Sequence, residues 1–320
     1  MLADATAIFA AGLISIGQGG NSSPFANLDL VAFLASFLLV HLGGPDTITT
    51  FALEDNELWL RHLLGLGFPC WAVVYALIQS FPKKELLIPP VLIFVAGLIK
   101  YIERTLSLYL ATSHTIKESR PVELDLGPKY AKLIEVEMVP GRRPDEIDKH
   151  SELTDLMVLQ NAYRLFNTFR GLTADLLFSS KDCQVSRCFF LERTSADAFK
   201  VVEAELNFFY DVLYTKATVV QGMLGYLVRM LLLSLDCTSV ALFYRVEKKE
   251  FTNFDTGLTY TLLVGTLALD LIASIMVLKS YWTAVSLTKS EYPSQVIAIL
   301  KMLLNVDKER WPKNPGKKPT

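Results

Sequence analysis

Leu63-Leu64-Gly65-Leu66-Gly67-Phe68-Pro69-Cys70-Trp71-Ala72-Val73-Val74-Tyr75-Ala76-Leu77-Ile78-Gln79-Ser80-Phe81 contains no Asp, Glu, Lys or Arg. An α-helix rises 1.5 Å per residue, so about 20 mostly apolar residues cross the roughly 30 Å hydrocarbon core of a bilayer. The stretch predicts a membrane span. Pro69 is compatible with it, because neighbouring helices in a bilayer re-satisfy the backbone groups a proline frees.

Further segments extend that reading outward. Leu86–Ile99 is apolar and ends at Lys100, Glu103 and Arg104, which can snorkel toward a headgroup layer. Pro89 and Pro90 are expected near its first turn, where proline does least damage. Leu258–Leu278 is long enough to span and is interrupted only by Asp270; Ala217–Tyr244 is longer than needed and carries Arg229 and Asp236. Two shorter runs, Ala5–Ile16 and Leu30–Leu42, flank a polar turn and read as a helical hairpin. Ala5–Ile16 lacks the basic start and small-residue cleavage site of a signal peptide.

Composition agrees. Of the 320 residues, 51% are hydrophobic and only 20% charged, against roughly 25% charged in soluble domains. With 31 Lys+Arg against 33 Asp+Glu the net charge is −2, without the basic excess of a nucleic-acid binder. Four Cys in all do not make a disulfide scaffold. The expected fold class is all-α: a multi-pass transmembrane helical protein, partnered by the lipid bilayer, with a cytosolic helical insert. The expected regions are 1–112 (about four membrane helices), 113–215 (the insert), 216–282 (a membrane helix pair) and 283–320 (a basic cytosolic tail).

Orientation follows from Lys and Arg near the segment ends. Lys117, Arg120, Lys129, Lys132, Arg142 and Arg143 mark the insert, and Lys308, Arg310, Lys313, Lys317 and Lys318 mark the tail. Both are expected in the cytosol, with both termini and the turn Asp46–Glu57. Lys83, Lys84, Arg245, Lys248 and Lys249 fall on the opposite side and count against the rule. The sequon Asn21-Ser22-Ser23 lies on the predicted lumenal turn.

Within the insert, Leu156, Leu159, Tyr163, Phe166 and Phe169 recur at three- and four-residue steps and predict one apolar helix face. A second helix is expected from Ser195, capped by Thr194 and Asp197, with Val201, Leu206, Phe209 and Leu213 along its apolar face. Such faces pack on each other, lie on the membrane, or bind a protein partner. Cys183 and Cys188 have neither zinc-site nor redox-motif spacing.

The run His41-Leu42-Gly43-Gly44-Pro45-Asp46-Thr47-Ile48-Thr49, continued by Phe51-Ala52-Leu53-Glu54-Asp55-Asn56-Glu57-Leu58-Trp59-Leu60-Arg61-His62, resembles a plant membrane-protein family known as domain of unknown function 4220. Gly97–Thr105, Glu203–Lys216 and the helix around Leu263–Asp270 are similar to it as well. The resemblance implies a multi-pass plant membrane protein without an established activity, cofactor or catalytic residue. By that resemblance the chain is expected to begin within the family's second hydrophobic segment and to stop short after Arg310-Trp311, as a truncated paralogue or an incomplete gene model would.

The same run contains the chain's densest juxtamembrane charge. Asp46 or Thr47 is expected to cap a helix carrying Glu54, Glu57 and Arg61, with Glu57 and Arg61 in the favourable i,i+4 order. His41, Asp46, Asp55, Glu57 and His62 are ligand types a divalent metal takes, but no His pair has i,i+4 spacing, and a capped helix between two spans is the preferred reading. His41 and Asp46 also match the H-x4-D spacing of membrane acyltransferases, without that class's companion motifs. No metal, cofactor or catalytic site is predicted, and Gly43, Gly44 and His62 are noted as motif positions only.

The intramembrane charges are sharper. Arg229 and Asp236 share a helix face about 10 Å apart along the axis. Arg229 lies about 22 Å from the Tyr244 end of its segment, and Asp270 about 18 Å from the matching Leu258 end of the next. An Arg229–Asp270 pair is therefore expected across antiparallel helices. Charge at mid-bilayer costs at least about 2.5–3.5 kcal/mol, so a partner or water is expected; a buried pair that fixes helix register is preferred over an ion or proton path. Three functions remain: a non-enzymatic partner-binding or scaffolding membrane protein, preferred on sequence grounds; a transporter or channel using Arg229, Asp236 and Asp270; and a membrane-interface enzyme around His41–His62.

Overall fold

The computed structural model describes residues 33–37, 39–40, 43, 48–65, 67–79, 84–118, 153–176, 180–246 and 252–288. Among these, all regular structure is helical. Residues 33–37 and 39–40 are helical. They are followed by α1 (Leu53–Glu57), α2 (Trp59–Gly65), α3 (Gly67–Gln79), α4 (Lys84–Leu110) and α5 (Ser113–Glu118). Next come α6 (Asp155–Phe169), a 3-10 turn (Arg170–Ala174), α7 (Ser180–Leu191) and α8 (Ser195–Tyr214). The remaining elements are α9 (Ala217–Val220), α10 (Met223–Arg245), α11 (Asn253–Leu278) and α12 (Tyr281–Thr288). Ala5–Ile16, the Asn21 sequon, most of the linker after Glu118 and the basic tail lie outside the described residues.

The chain divides into two compact units. The first is Met1–Ala111 with Leu213–Val277; the second is Thr112–Val212 with Leu278–Thr320.

In the first unit, α4 packs on α10, and residues 33–40 face two ways. Phe33 and Phe37 join Ile93, Phe243 and Leu263, while Ala35 and Leu39 join Val73, Leu77 and Tyr101. Phe243 stacks edge-on against Phe33 and Tyr260, with ring centroids 5.2 and 5.0 Å apart. Helices α10 and α11, of 23 and 26 residues, are long and apolar enough to cross a membrane. A core helix of a soluble protein would be mostly buried, yet only 28% and 22% of their most apolar windows is. What they bury is largely small or polar: Gly225, Arg229, Leu232, Asp236, Ser239 and Phe243 on α10, and Thr259, Leu263, Thr266, Asp270 and Ala273 on α11. Leu224, Leu227, Met230, Leu269, Ile272 and Met276 face outward. Polar groups inside and apolar ones outside is the pattern expected of helices dissolved in lipid.

Of Leu63–Phe81, the described residues lie in α2 and α3, and two expectations change in this unit. Pro89 and Pro90 lie inside α4, past its first turn. Ala217–Tyr244 is broken between α9 and α10 at Gln221–Gly222, where Gly222 takes φ 104°, a conformation open chiefly to glycine. The chain doubles back so tightly that a Cβ on Gly225 would sit 1.9 Å from the Val220 carbonyl oxygen.

The second unit has its own core. Val158, Leu159, Ala162, Leu165 and Phe166 of α6 pack against Val201, Ala204 and Phe208 of α8 and Ala284 and Val285 of α12. Tyr163, Phe166, Phe208 and Trp282 form an edge-to-face aromatic group, with Phe208 and Trp282 centroids 5.1 Å apart. Helix α8 starts at Ser195 as expected, and the Asp197 N–H donates to Thr194 Oγ1 at 3.2 Å, satisfying one otherwise orphaned donor of the first turn. Its buried stripe differs from the expected one: Phe208 is enclosed and Leu206 faces outward. Apolar residues occur around much of α8, so periodicity alone did not choose the packed face.

Candidate buried charge site

Lys100 and Glu103 stand three residues apart on α4, so they share a face. Each meets a charge from another helix of the first unit. Arg229 on α10 donates to the Glu103 carboxylate at 3.0 Å. Lys100 Nζ donates to Asp270 Oδ1 on α11. Asp236 lies two turns beyond Arg229 on α10 and is buried. All five side chains are enclosed; Asp236 is 1% exposed.

The expected Arg229–Asp270 pair is therefore replaced by two others. Matching depths on neighbouring segments considered only α10 and α11, whereas α4 brings a cation and an anion of its own. Lys100 and Glu103 were expected to snorkel to an interface; they are buried instead, because α4 continues to Leu110. Their three-residue spacing, just beyond an apolar run, was the available signal for a third charged helix face.

Among the described residues, the first unit buries three cations, Lys100, Lys216 and Arg229, and three carboxyls, Glu103, Asp236 and Asp270. Glu103 is matched by Arg229 and Asp270 by Lys100. Among the described residues, both carboxyl oxygens of Asp236 and Oδ2 of Asp270 are buried without a hydrogen-bond donor, a costly state for a carboxylate.

The juxtamembrane motif is built differently from expectation. His41, Gly44 and Asp46 lie outside the described residues. Gly43 is buried; its carbonyl accepts from Lys216 Nζ at 2.9 Å, and a Cβ there would come 2.8 Å from Lys100 Cβ. Helix α1 is preceded by Ala52, with no side-chain cap, in place of Asp46 or Thr47. The helix ends at Glu57, so Glu54 and Glu57 sit on α1 while Arg61 and His62 sit on α2. Glu54, Glu57 and Arg61 face solvent, and Asp55 and His62 are half-buried. The His62 carbonyl accepts from the Tyr101 hydroxyl. Asn56, which residue-type reasoning passed over, is the buried polar centre of this stretch. It accepts from Thr50 Oγ1 at 3.2 Å and donates to the Leu213 carbonyl at 3.0 Å. The Thr49 N–H donates to the Tyr214 carbonyl at 2.7 Å, so the motif satisfies the carbonyls that end α8. Among the described residues no three His, Cys, Asp or Glu side chains converge as a metal site.

Fold and site together define an all-helical protein with two candidate membrane spans and a buried charge cluster between helices. The family model described as domain of unknown function (DUF4220) matches residues 1–317, and the chain belongs to that family. No curated protein and no solved structure matches it.

Proposed function

We propose that the protein is a multi-pass integral membrane protein, non-enzymatic, that binds and moves a cation through the helix core of its first unit. Asp236, Asp270 and Lys100 are the groups assigned to it. The insert and both termini are assigned to the cytosolic side. The observation that carries this reading is the enclosed carboxyl of Asp236, whose two oxygens have no hydrogen-bond donor among the described residues. Ionisable groups inside a span pair with one another or line ion and proton paths.

The test is flux into liposomes holding the purified full-length chain. Wild-type protein should conduct a cation, and Asp236→Asn and Asp270→Asn should abolish conduction while the protein stays folded. Wild-type liposomes indistinguishable from empty ones would overturn the reading.

A second reading, a membrane-anchored protein that docks a partner, is favoured by α8. Phe199, Val202, Leu206 and Tyr210 form an exposed apolar stripe there. Loss of a specific complex in Leu206→Asp, with flux absent from the wild type, would select it.

A further inference from the structure

Helix α8 leaves an apolar stripe in the open within the second unit, and the chain supplies a segment that fits it. Phe199 and Leu206 are 76% and 61% exposed, with Val202 and Tyr210 beside them. These positions follow one another at steps of three and four residues, so they share one face over about 16 Å of helix. The opposite face carries Val201, Ala204 and Phe208 into the core with α6 and α12.

Residues 294–308 lie outside the described ones, and their sequence has the matching pattern. Val296, Ile299, Leu300, Leu303 and Val306 recur at three- and four-residue steps, the spacing of an apolar helix face about 15 Å long. Lys301, Asn305 and Lys308 fall on the other side of the same period, and Ser294 is a residue type that opens helices. The run is shorter than the about 20 residues a membrane span needs, so its apolar side calls for a surface to cover it.

The route to α8 is short. Helix α12 rests on α8 through Trp282, whose ring lies 5.1 Å from that of Phe208 and whose Nε1 donates to Asp211 Oδ2 at 3.1 Å. Helix α12 ends at Thr288. Residues 289–294 extend to roughly 20 Å, more than the about 10–12 Å diameter of a helix with its side chains, so the chain can pass around α8 to the stripe.

Charge selects among the possible occupants. Helix α8 holds Asp197, Glu203, Glu205 and Asp211 against Lys200 alone, and Lys200 lies 3.8 Å from Asp197. From 301 onward the chain carries Lys301, Lys308, Arg310, Lys313, Lys317 and Lys318 against Asp307 and Glu309. Opposite signs attract across a contact, whereas a second α8 would add carboxylates to carboxylates and anionic headgroups would meet the same repulsion.

We infer that residues 295–306 dock as an amphipathic helix on the exposed stripe of α8, covering Phe199, Val202, Leu206 and Tyr210. The contact is a strap over the second unit. An outside partner for α8, the second reading above, has to displace it first. The strap is independent of the cation reading, which concerns the first unit.

Maleimide labelling of the full-length protein in detergent tests the strap. Leu206→Cys is made with Cys70, Cys183, Cys188 and Cys237 each changed to Ser. The introduced thiol should react slowly, and Leu303→Asp should speed it by about tenfold or more, since a carboxylate does not bury without a partner. Ala204→Cys in the same background, on the enclosed face of α8, should stay unreactive with and without Leu303→Asp, which separates release of the segment from unfolding. Equal rates at position 206 with and without Leu303→Asp would end the proposal, and acceleration at both positions, the mark of general opening, would count against it equally. Protection that rises with protein concentration would assign the stripe to a second copy, and protection found only in lipid nanodiscs would assign it to the bilayer surface; either sinks the strap.

Discussion

Arg229 and Glu103 join α10 to α4 through a buried ion pair of 3.0 Å, with side chains 4% and 6% exposed. Breaking such a pair from one side strands the other charge and costs about 3–5 kcal/mol. Arg229→Met should therefore lower the thermal midpoint of the detergent-solubilised protein sharply. Reversal of both members, Arg229→Glu with Glu103→Arg, should restore most of the loss. Combining Arg229→Glu with Asp270→Arg should not, because Asp270 is held by Lys100; rescue by that second combination would refute the pairing.

The motif segment is tied to the end of α8 by the Asn56 side chain and by the Thr49 N–H. Asn56→Ala removes the donor to the Leu213 carbonyl and the acceptor for Thr50. An unmatched buried polar group costs about 1–3 kcal/mol. A drop of that size in unfolding free energy is expected, against no more than about 0.5 kcal/mol for the exposed Glu54→Ala. Equal effects from both would show that Asn56 is not anchoring the segment.

In the second unit, Phe208 is wholly enclosed by Tyr163, Phe166 and Trp282. Phe208→Ala should cost about 3–5 kcal/mol, transfer and cavity effects together. Tyr210→Ala, on the exposed side of the same helix, serves as the comparison. Chemical denaturation of the full chain followed by tryptophan fluorescence reports this, since Trp282 lies in the aromatic group.

Two carboxyls on α8 make stability depend on pH. Burial pushes Glu205 up to about 7 and Asp211 up to about 6, the latter held back by the 3.1 Å hydrogen bond from Trp282 Nε1. A carboxyl whose pKa is raised by folding binds more protons in the folded state, so stability falls as pH rises. The decline should run from about pH 4 to slightly above 7 and should flatten in Glu205→Gln with Asp211→Asn. Both groups are only partly buried, so solvent screening keeps the change modest. Thermal midpoints across this range decide it; midpoints that rise with pH would contradict the assignment.

Several of these features were legible in the chain itself. Thr194 announces the start of α8 through a local side-chain bond that depends on four consecutive residues. The apolar length of 258–278 predicts α11, since helix rise alone decides whether a segment can span. Other features were hidden because their cause is not local. The break at Gln221–Gly222 interrupts a continuous apolar run, and only the close approach of Val220 to Gly225 accounts for it. Lys216 looks like an ordinary surface lysine, yet it is 1% exposed because the Gly43 carbonyl lies in front of it.

By itself the sequence determined that helices would form, that Ala217–Tyr244 and Leu258–Leu278 were among the segments greasy enough for lipid, and that Arg229, Asp236 and Asp270 would fall within them. Tertiary structure alone decided which charge meets which. Position along a helix depends on residue count, but partnership depends on which third helix packs into the gap. Here α4 fills it with Lys100 and Glu103, and Coulomb attraction over a few ångströms in a poorly screened interior selected those partners over the one that depth alone suggested.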